Sequence, residues 1–385
     1  MMKKMFVHLM TAALCSMIFC ACTATGSGKC GQAPQKKKVR VGLYVDYGAS
    51  GNGVFHLASL IEHSPQTELV TLLASDIRAG KLKEIDILVM PGGGSTKQCV
   101  TIGLEHHDKI RDFLRNGGCY VGTCAGMFNV LQIHKRLQLL PFSRYGGAGG
   151  STSYATIDIT PEGAKILGIK PGLRQSRYSG GPVAYAVKDA KCEGKGIALA
   201  TYKSAVCKNP KQVGKFIGSV AWVYGTFGKG KIIATSFHPE YSVECHDMML
   251  GCFYVVKGVK MTPVFPKKNR RPWRVGVLST GITGHGPVRT MLDLEKHPDI
   301  DVDYVMMAEL NQGIMRHLDY LVMPHGNKKV IHQYMGQPFV QEQFKMFMDR
   351  GGVILASGNA AGIVPSHKNF KKLPEKVDFK KYILK

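Results

Sequence analysis

The chain has 385 residues, 44% of them hydrophobic and 20% charged, with a formal net charge of +24. This composition excludes a wholly disordered chain and is typical of a globular protein long enough for two domains. Basic residues are spread along the sequence without a nucleic-acid-binding motif, so we expect a solvated basic surface and no nucleic-acid partner. Attraction to anionic lipid or to an acidic ligand is the alternative. We expect no cofactor and no metal site.

The amino terminus has the pattern of an export signal. Two lysines precede an apolar run, Met5–Ala21, which is short for a membrane-spanning helix. We therefore predict a signal peptide over residues 1–21. The run ends in Phe-Cys-Ala-Cys, which resembles a bacterial lipoprotein cleavage box and implies a lipid on Cys22 and a place in the periplasm or outer membrane. Plain cleavage near Ala21–Ala24 is the alternative, and residues 22–38 are predicted to be a flexible tether.

Apolar runs alternate with helical stretches after residue 38. This alternation predicts a doubly wound α/β fold with a parallel sheet, in which ligands lie beyond the carboxyl ends of the strands. Residues 141–230 have short β-rich runs that indicate antiparallel insertions. The predicted strands are Val39–Val45, Leu69–Leu73, Ile85–Met90, Cys119–Val121 and Ile232–Ser236, and the predicted helices include Val54–Ile61 and Thr101–Arg115.

The sequence from Gly122 to Gly126 is Gly-Thr-Cys-Ala-Gly, at the end of a predicted strand. A strand that turns abruptly into a helix needs small residues on both sides of the turn, and the residue between them projects at the carboxyl edge of the sheet. Here that residue is Cys124, which predicts a cysteine nucleophile. A buried structural cysteine beside a glycine turn is the alternative. Disulfides are permitted among the eleven cysteines in an oxidising compartment, but a catalytic Cys124 has to stay unpaired.

A glycine run, Pro91–Gly94, follows the third predicted strand and so falls at the same edge. Glycines let backbone amides point into a small cavity without obstruction by side chains. The amide of Gly93 or Gly94, together with that of Ala125, is therefore predicted to form an oxyanion hole. The alternative is an ordinary tight turn.

A His-Pro-Glu sequence follows the last strand of the first predicted sheet. His238 can take the proton of the Cys124 thiol and return it to a leaving amine. Glu240 can accept the other imidazole N–H and hold the ring in one tautomer. We therefore predict a catalytic triad with Cys124, His238 and Glu240 in chain order.

Together these motifs resemble the class I glutamine amidotransferase-like fold, with a closer likeness to the biotin–protein ligase amino-terminal domain family. The resemblance implies a flavodoxin-like sheet, a nucleophile at Cys124, a base at His238 and an orienting acid at Glu240. Nothing in the chain resembles a biotin- and ATP-binding half, so biotin ligation is not expected. The resemblance covers about residues 38–260 and is carried by Pro91-Gly-Gly93, Gly122 to Gly126, Ser179-Gly-Gly-Pro182 and Gly230 to Glu240.

The second half of the sequence repeats the first. We predict a first domain at 39–262, a linker at 263–272 and a truncated, non-catalytic α/β repeat at 273–385. Without a gap, Gly358 falls where Cys124 stands. The matching runs are Trp273–Leu278 with Val39–Val45, Leu318–Pro324 with Ile85–Pro91, and Phe347–Ala356 with Phe113–Gly122.

Two functions fit these patterns. The first is an exported amidase or hydrolase that attacks a C–N acyl bond of a small-molecule or peptide-like substrate through a thioester on Cys124. The second is a catalytically silent ligand-binding or scaffold lipoprotein of the cell envelope. In both, Cys22 would anchor the chain to a membrane.

Overall fold

In both halves of the described chain, hydrophobic runs form strands and the stretches between them form helices. The computed structural model describes residues 37–384 except 208, 279–283, 307–309, 311–312 and 327. The predicted signal peptide, Cys22 and most of the tether lie outside this part. Within it, every helix is too short or too polar to cross a bilayer.

The bounds of the elements follow the predicted pattern closely at most positions. The strands are β1 (Val39–Tyr44), β2 (Thr67–Leu72), β3 (Ile87–Met90), β4 (Cys119–Thr123), β5 (Phe142–Arg144), β6 (Thr152–Ile159), β7 (Gly172–Ser179), β8 (Ala184–Ala186), β9 (Lys195–Tyr202), β10 (Val220–Phe227), β11 (Gly230–Thr235), β12 (Trp273–Leu278), β13 (Ile300–Val305), β14 (Tyr320–Met323), β15 (Val353–Ser357) and β16 (Phe370–Leu373). The described helices are α1 (Gly51–Glu62), α2 (Ala74–Arg78), α3 (Ser95–Ile102), α4 (His107–Arg115), α5 (Ala125–Val130), α6 (Pro161–Leu167), α7 (Val213–Phe216), α8 (His246–Lys257), α9 (His285–Glu295), α10 (Lys328–Met335), α11 (Pro338–Asp349) and α12 (Lys380–Ile383).

The first sheet has a parallel half and an antiparallel half. Its parallel strands lie in the order β2-β1-β3-β4-β11, and β10, β9, β6 and β7 continue it in antiparallel pairing. Strands β3 and β4 are buried at every position, as expected for a parallel sheet covered by helices on both faces. The predicted flavodoxin-like, doubly wound sheet with antiparallel insertions is confirmed.

The second sheet repeats the parallel half of the first. Its strands lie in the order β13-β12-β14-β15-β16, all parallel, which matches the order β2-β1-β3-β4-β11. The fifth strand, β16, was not predicted from sequence. It is four residues long and exposes two lysines, so it lacks the apolar run that marks the other parallel strands.

The single helix predicted over Thr101–Arg115 is wrong. The chain forms α3, which ends at Ile102, and then α4, which begins at His107. Gly103 separates them with a φ of 95°, a left-handed backbone conformation that glycine adopts readily and that ends a helix. Helical periodicity continues on both sides of this glycine, so the sequence pattern alone does not reveal the break.

The two sheets are joined by contacts between α1 and α9. Glu62 Oε1 accepts hydrogen bonds from Lys296 Nζ at 2.7 Å and from Arg289 Nη1 at 3.3 Å. Ser59 Oγ donates to Glu295 Oε1 at 2.8 Å. One hydrophobic cluster also contains residues of both sheets. The repeat therefore packs directly on the helix that follows β1.

Gly163 tests the packing of α6 on β9. A Cβ at Gly163 would overlap the carbonyl oxygen of Leu199, whereas a Cβ at Gly214 in α7 would meet nothing within 4 Å. We expect Gly163→Ala to lower the free energy of unfolding by about 2 kcal/mol, because overpacking displaces backbone. Gly214→Ala should leave it unchanged or raise it by up to about 1 kcal/mol, because alanine favours a helix. Urea denaturation measures both, and equal effects would contradict this placement of α6.

Candidate functional site

Close backbone packing forms a sharp turn at the end of β4. Cys124 follows the strand with a φ of 50°, and its N–H donates to Thr235 O of β11 at 2.8 Å. A Cβ at Gly122 would lie 2.8 Å from the carbonyl carbon of Gly126, and one at Gly126 would overlap Met90 O. Both glycines are therefore required by contact, as the motif predicts. Their positions leave the side chain of Cys124 at the carboxyl edge of the sheet.

His238 and Glu240 form a buried pair beside this turn. His238 Nδ1 lies 2.9 Å from Glu240 Oε1, and the two side chains are 3% and 0% exposed. Thr123 Oγ1 donates to the same carboxylate oxygen at 3.1 Å. The bond at Nδ1 leaves the other ring nitrogen, Nε2, available to a partner across the site.

The side chain of Cys124 lies on the same side of the glycine run as the His238 ring. A Cβ at Gly92 would lie 2.6 Å from His238 Cε1 and 3.5 Å from Cys124 Cβ, so both side chains face the glycine run. Burial lowers the pKa of His238, but the Glu240 carboxylate, the charge of the Cys124 sulfur and hydrogen bonds to both raise it to about 10. The imidazole is thus protonated at neutral pH.

Aromatic rings pack against the outer side of His238. The ring of Tyr241 stacks on it, with centroids 4.5 Å apart and planes 6° from parallel. The ring of His56 lies 5.0 Å from Tyr241 and hydrogen-bonds with the hydroxyl of Tyr304, which belongs to β13 of the second sheet. Burial lowers the pKa of His56 to about 4, so its ring is neutral at pH 7. The second sheet thereby contacts the site through one neutral histidine.

The predicted oxyanion donors divide into two groups. The N–H of Gly94 donates to Gly48 O at 2.8 Å. It is therefore already engaged, and the prediction of Gly94 as an oxyanion donor is withdrawn. Within the described residues, no backbone acceptor takes the N–H of Gly93 or of Ala125. Gly93 has a φ of 129° and Ala125 begins α5 directly after the sulfur-bearing residue. These two amides stay as candidates for the oxyanion hole.

The second sheet keeps the turn but fills the place of the sulfur. Gly358 follows β15 as Cys124 follows β4, and its φ of 54° is close to the 50° of Cys124. A Cβ at Gly358 would overlap Nδ1 of His325, a residue that follows β14 as Gly92 follows β3. An imidazole therefore occupies the space that the first sheet leaves open.

The sulfur of Cys124 is nearly enclosed. The residue is 4% exposed, and its Sγ lies 3.5 Å from Ser179 O at the end of β7. The described cysteines, Cys124 among them, are all free thiols. Access to the sulfur is therefore narrow, but no disulfide blocks it.

Sequence reasoning missed two residues of this site, Tyr241 and Arg177. Tyr241 directly follows the His-Pro-Glu motif and could have been included on that basis. Arg177 comes from β7 of the antiparallel insertion, and its O accepts the N–H of His238 at 2.8 Å. The nearest sequence motif, Ser179-Gly-Gly-Pro182, begins at the end of β7 and does not include Arg177.

The strand order of the first sheet defines a flavodoxin-like, doubly wound α/β fold, and Cys124, His238 and Glu240 lie at its carboxyl edge. Residues 41–132 match the model of the family described as biotin-protein ligase, N terminal. The chain is also 30% identical over 175 residues to a biotin–protein ligase of Schizosaccharomyces pombe, a match that covers 41% of this chain and only 26% of that relative. The resemblance predicted from the motifs is confirmed for this part of the chain.

Solved structures also align with the chain. One is PurLQS from Thermotoga maritima, with 14% identity, coverage of 56% of this chain and 98% of that one, and a TM-score of 0.41. Another is a glutamine amidotransferase, with 20% identity, coverage of 55% and 98%, and a TM-score of 0.35.

Glu240→Gln tests the charge pair. The pKa of His238 rises from 6.5 to about 10 on folding, so the stabilisation by its charge is complete below pH 6.5 and is lost as the pH rises through about 10. We expect Glu240→Gln to cost about 3 kcal/mol near pH 6, because a buried charge loses its partner. The cost should shrink as the pH approaches 10. Denaturation curves at pH 6, 8 and 10 measure it.

The control for that experiment is Glu244→Gln, which changes an exposed acid on the next turn. Its effect should be small and independent of pH. A cost of Glu240→Gln that stays constant from pH 6 to pH 10 would contradict a protonated His238.

Proposed function

We propose that this protein is an exported cysteine-dependent amidase or hydrolase that cleaves a C–N acyl bond through a thioester on Cys124. The observation that carries the proposal is the placement of Cys124 on a strained turn against His238, whose other ring nitrogen is bound to Glu240. A thiolate–imidazolium pair held by a carboxylate is the arrangement that nucleophilic acyl transfer requires.

The reaction would proceed in two halves. The thiolate of Cys124 attacks the carbonyl carbon, a C–S bond forms and the carbonyl electrons move to oxygen, where the amides of Gly93 and Ala125 can donate to it. Collapse of this intermediate breaks the C–N bond, and the leaving amine takes the proton of His238. Water then attacks the thioester with His238 as base, the C–S bond breaks, and a carboxylic acid leaves with the thiolate–imidazolium pair restored.

The burial of the Glu240 carboxylate supports its proposed role as the group that orients His238. Glu240 is fully buried and directs one oxygen at both His238 and Thr123, so it holds the imidazole in one orientation. It does not need to accept a proton. Its contribution is to stabilise the imidazolium and to fix the tautomer.

Alkylation with iodoacetamide tests the nucleophile. We expect Cys124 to react at least about tenfold faster than an ordinary thiol at pH 6, because the imidazolium favours its thiolate. Cys124→Ser should abolish this fast phase and lower hydrolysis of a panel of glutamine and γ-glutamyl amides at least about 10³-fold. Peptide mass spectrometry assigns the label.

Cys192→Ser provides the matched control, because Cys192 is a partly exposed thiol whose pKa is raised by burial. It should leave both the fast phase and the hydrolysis unchanged. Equal labelling of wild type and Cys124→Ser at pH 6 would refute the nucleophile. That result would favour the alternative, a silent ligand-binding or scaffold protein, which the near enclosure of the sulfur also supports.

We further propose that the chain is a lipoprotein of the bacterial cell envelope, anchored through Cys22. The support is the apolar run that ends in Phe-Cys-Ala-Cys. Wild-type protein expressed in a bacterium should partition into the detergent phase of Triton X-114, and Cys22→Ala should move it to the aqueous phase or leave it uncleaved. Cys30→Ala, eight residues further on, is the control. Detergent-phase partition of Cys22→Ala after removal of its signal peptide would contradict the anchor.

A further inference from the structure

Strand β7 runs along the edge of the candidate site. The carbonyl oxygen of Arg177 accepts the N–H of His238 at 2.8 Å, and that of Ser179 lies 3.5 Å from the sulfur of Cys124. Residues two apart in a strand point to the same face, so the side chains of Arg177 and Ser179 share a face of β7. Arg177 is therefore held to the site by its own backbone.

The guanidinium of Arg177 lies over the ring that covers the histidine. Its Cζ is 5.4 Å from the ring centroid of Tyr241, and that ring stacks on His238 at 4.5 Å. The residue is partly buried, and its Nε is fully buried with no hydrogen-bond partner among the residues that the structure describes. A buried N–H left unpaired costs about 1–3 kcal/mol, so this arrangement lacks an acceptor.

No carboxylate of the described residues supplies that acceptor. Glu240, the acid nearest the histidine, is bound to His238 and Thr123, and Arg177 forms no ion pair within 4.0 Å in the part of the chain that the structure describes. The stack on Tyr241 supplies attraction to the face of the ring but leaves the N–H groups of the fork unused.

Arg174, on the same strand, is an arginine whose guanidinium is hydrogen-bonded within the protein. Its Nη1 and Nη2 donate to both carboxylate oxygens of Asp247, at 2.9 and 2.8 Å. Nη2 also donates to Glu244 O at 2.7 Å. The fork of Arg174 is thus held by the protein, while the fork of Arg177, three residues on, is not. This difference indicates that the guanidinium of Arg177 is available to an acceptor on a bound molecule.

We infer that Arg177 binds a carboxylate of the substrate, so that the amide cleaved at Cys124 belongs to a carboxylate-bearing molecule. A guanidinium fork matches the two oxygens of a carboxylate and holds them in one plane. The guanidinium lies over Tyr241, whose ring stacks on His238, so this contact would lie at the edge of the candidate site. The inference rests on the proposed function and names its class of substrate.

Two alkylating reagents of equal size test the charge preference. Iodoacetate and iodoacetamide both react by attack of the Cys124 thiolate on the CH₂ carbon, which forms a C–S bond and releases iodide. Only iodoacetate carries a carboxylate. We expect Arg177→Gln to lower the ratio of the iodoacetate rate to the iodoacetamide rate about tenfold, the value of one charge-assisted bond. Arg177→Lys, which keeps the charge but not the fork, should fall in between.

Arg174→Gln is the matched control and should leave the ratio unchanged within about twofold, because its partner is Asp247. The rate with iodoacetamide reports separately on Cys124 and should be similar in wild type and Arg177→Gln. An unchanged ratio in Arg177→Gln, with Cys124 still reactive, would overturn the inference and leave the proposed nucleophile standing.

A binding experiment decides the question if Cys124 reacts with neither reagent, a result that would refute the nucleophile alone. In a Cys124→Ala background, glutarate should raise the thermal midpoint and neutral glutaramide should not. Adding Arg177→Gln should remove the shift, and adding Arg174→Gln should keep it. A glutarate shift that survives Arg177→Gln, or no shift at all, would overturn the inference.

Discussion

Close contact between backbones at the end of β4 is the constraint on which the candidate site depends. Gly122 and Gly126 touch each other across the turn, and Gly126 also lies against Met90 O of β3, so no side chain fits at either position. The chain can turn there only with Cys124 in the left-handed region, at a φ of 50°. Such a conformation is unfavourable for a residue with a side chain, and it persists because the surrounding strands hold it. The strain places the sulfur beside His238, where the buried Glu240 keeps the ring charged.

The second sheet shows that the same sharp turn forms without a cysteine. It has the same strand order and the same left-handed residue after its fourth strand, but that residue is Gly358. His325 fills the space in which a sulfur would project. The second copy nevertheless contacts the first site, through the bond between Tyr304 and His56 and the ring of Tyr241 next to it. A repeat without a cysteine at this turn thus still contacts the rings beside His238.

Predictions from the sequence were most accurate where a local pattern carried the signal. The parallel strands of the first sheet, the turn at Cys124 and the internal repeat all follow from apolar runs and glycine positions that lie close together in the chain. Predictions failed where the pattern was weak or where a group had a competing partner. Strand β16 has only a short apolar signal, Gly103 interrupts a continuous helical periodicity, and the N–H of Gly94 is taken by Gly48 O from an earlier loop.

The sequence by itself determined the α/β architecture, its duplication and the local motifs that contain Cys124, His238 and Glu240, because each of these depends on a pattern within a few positions. Among the described residues, the tertiary structure alone decided which amides are free and that Arg177 has no acid partner while Arg174 does. It also decided that Tyr241 covers His238 and that His325 fills the second turn. These features depend on distances between residues far apart in the chain. Periodicity and motif spacing carry no information about such distances, since they are set only when β7, β11 and the two sheets pack together.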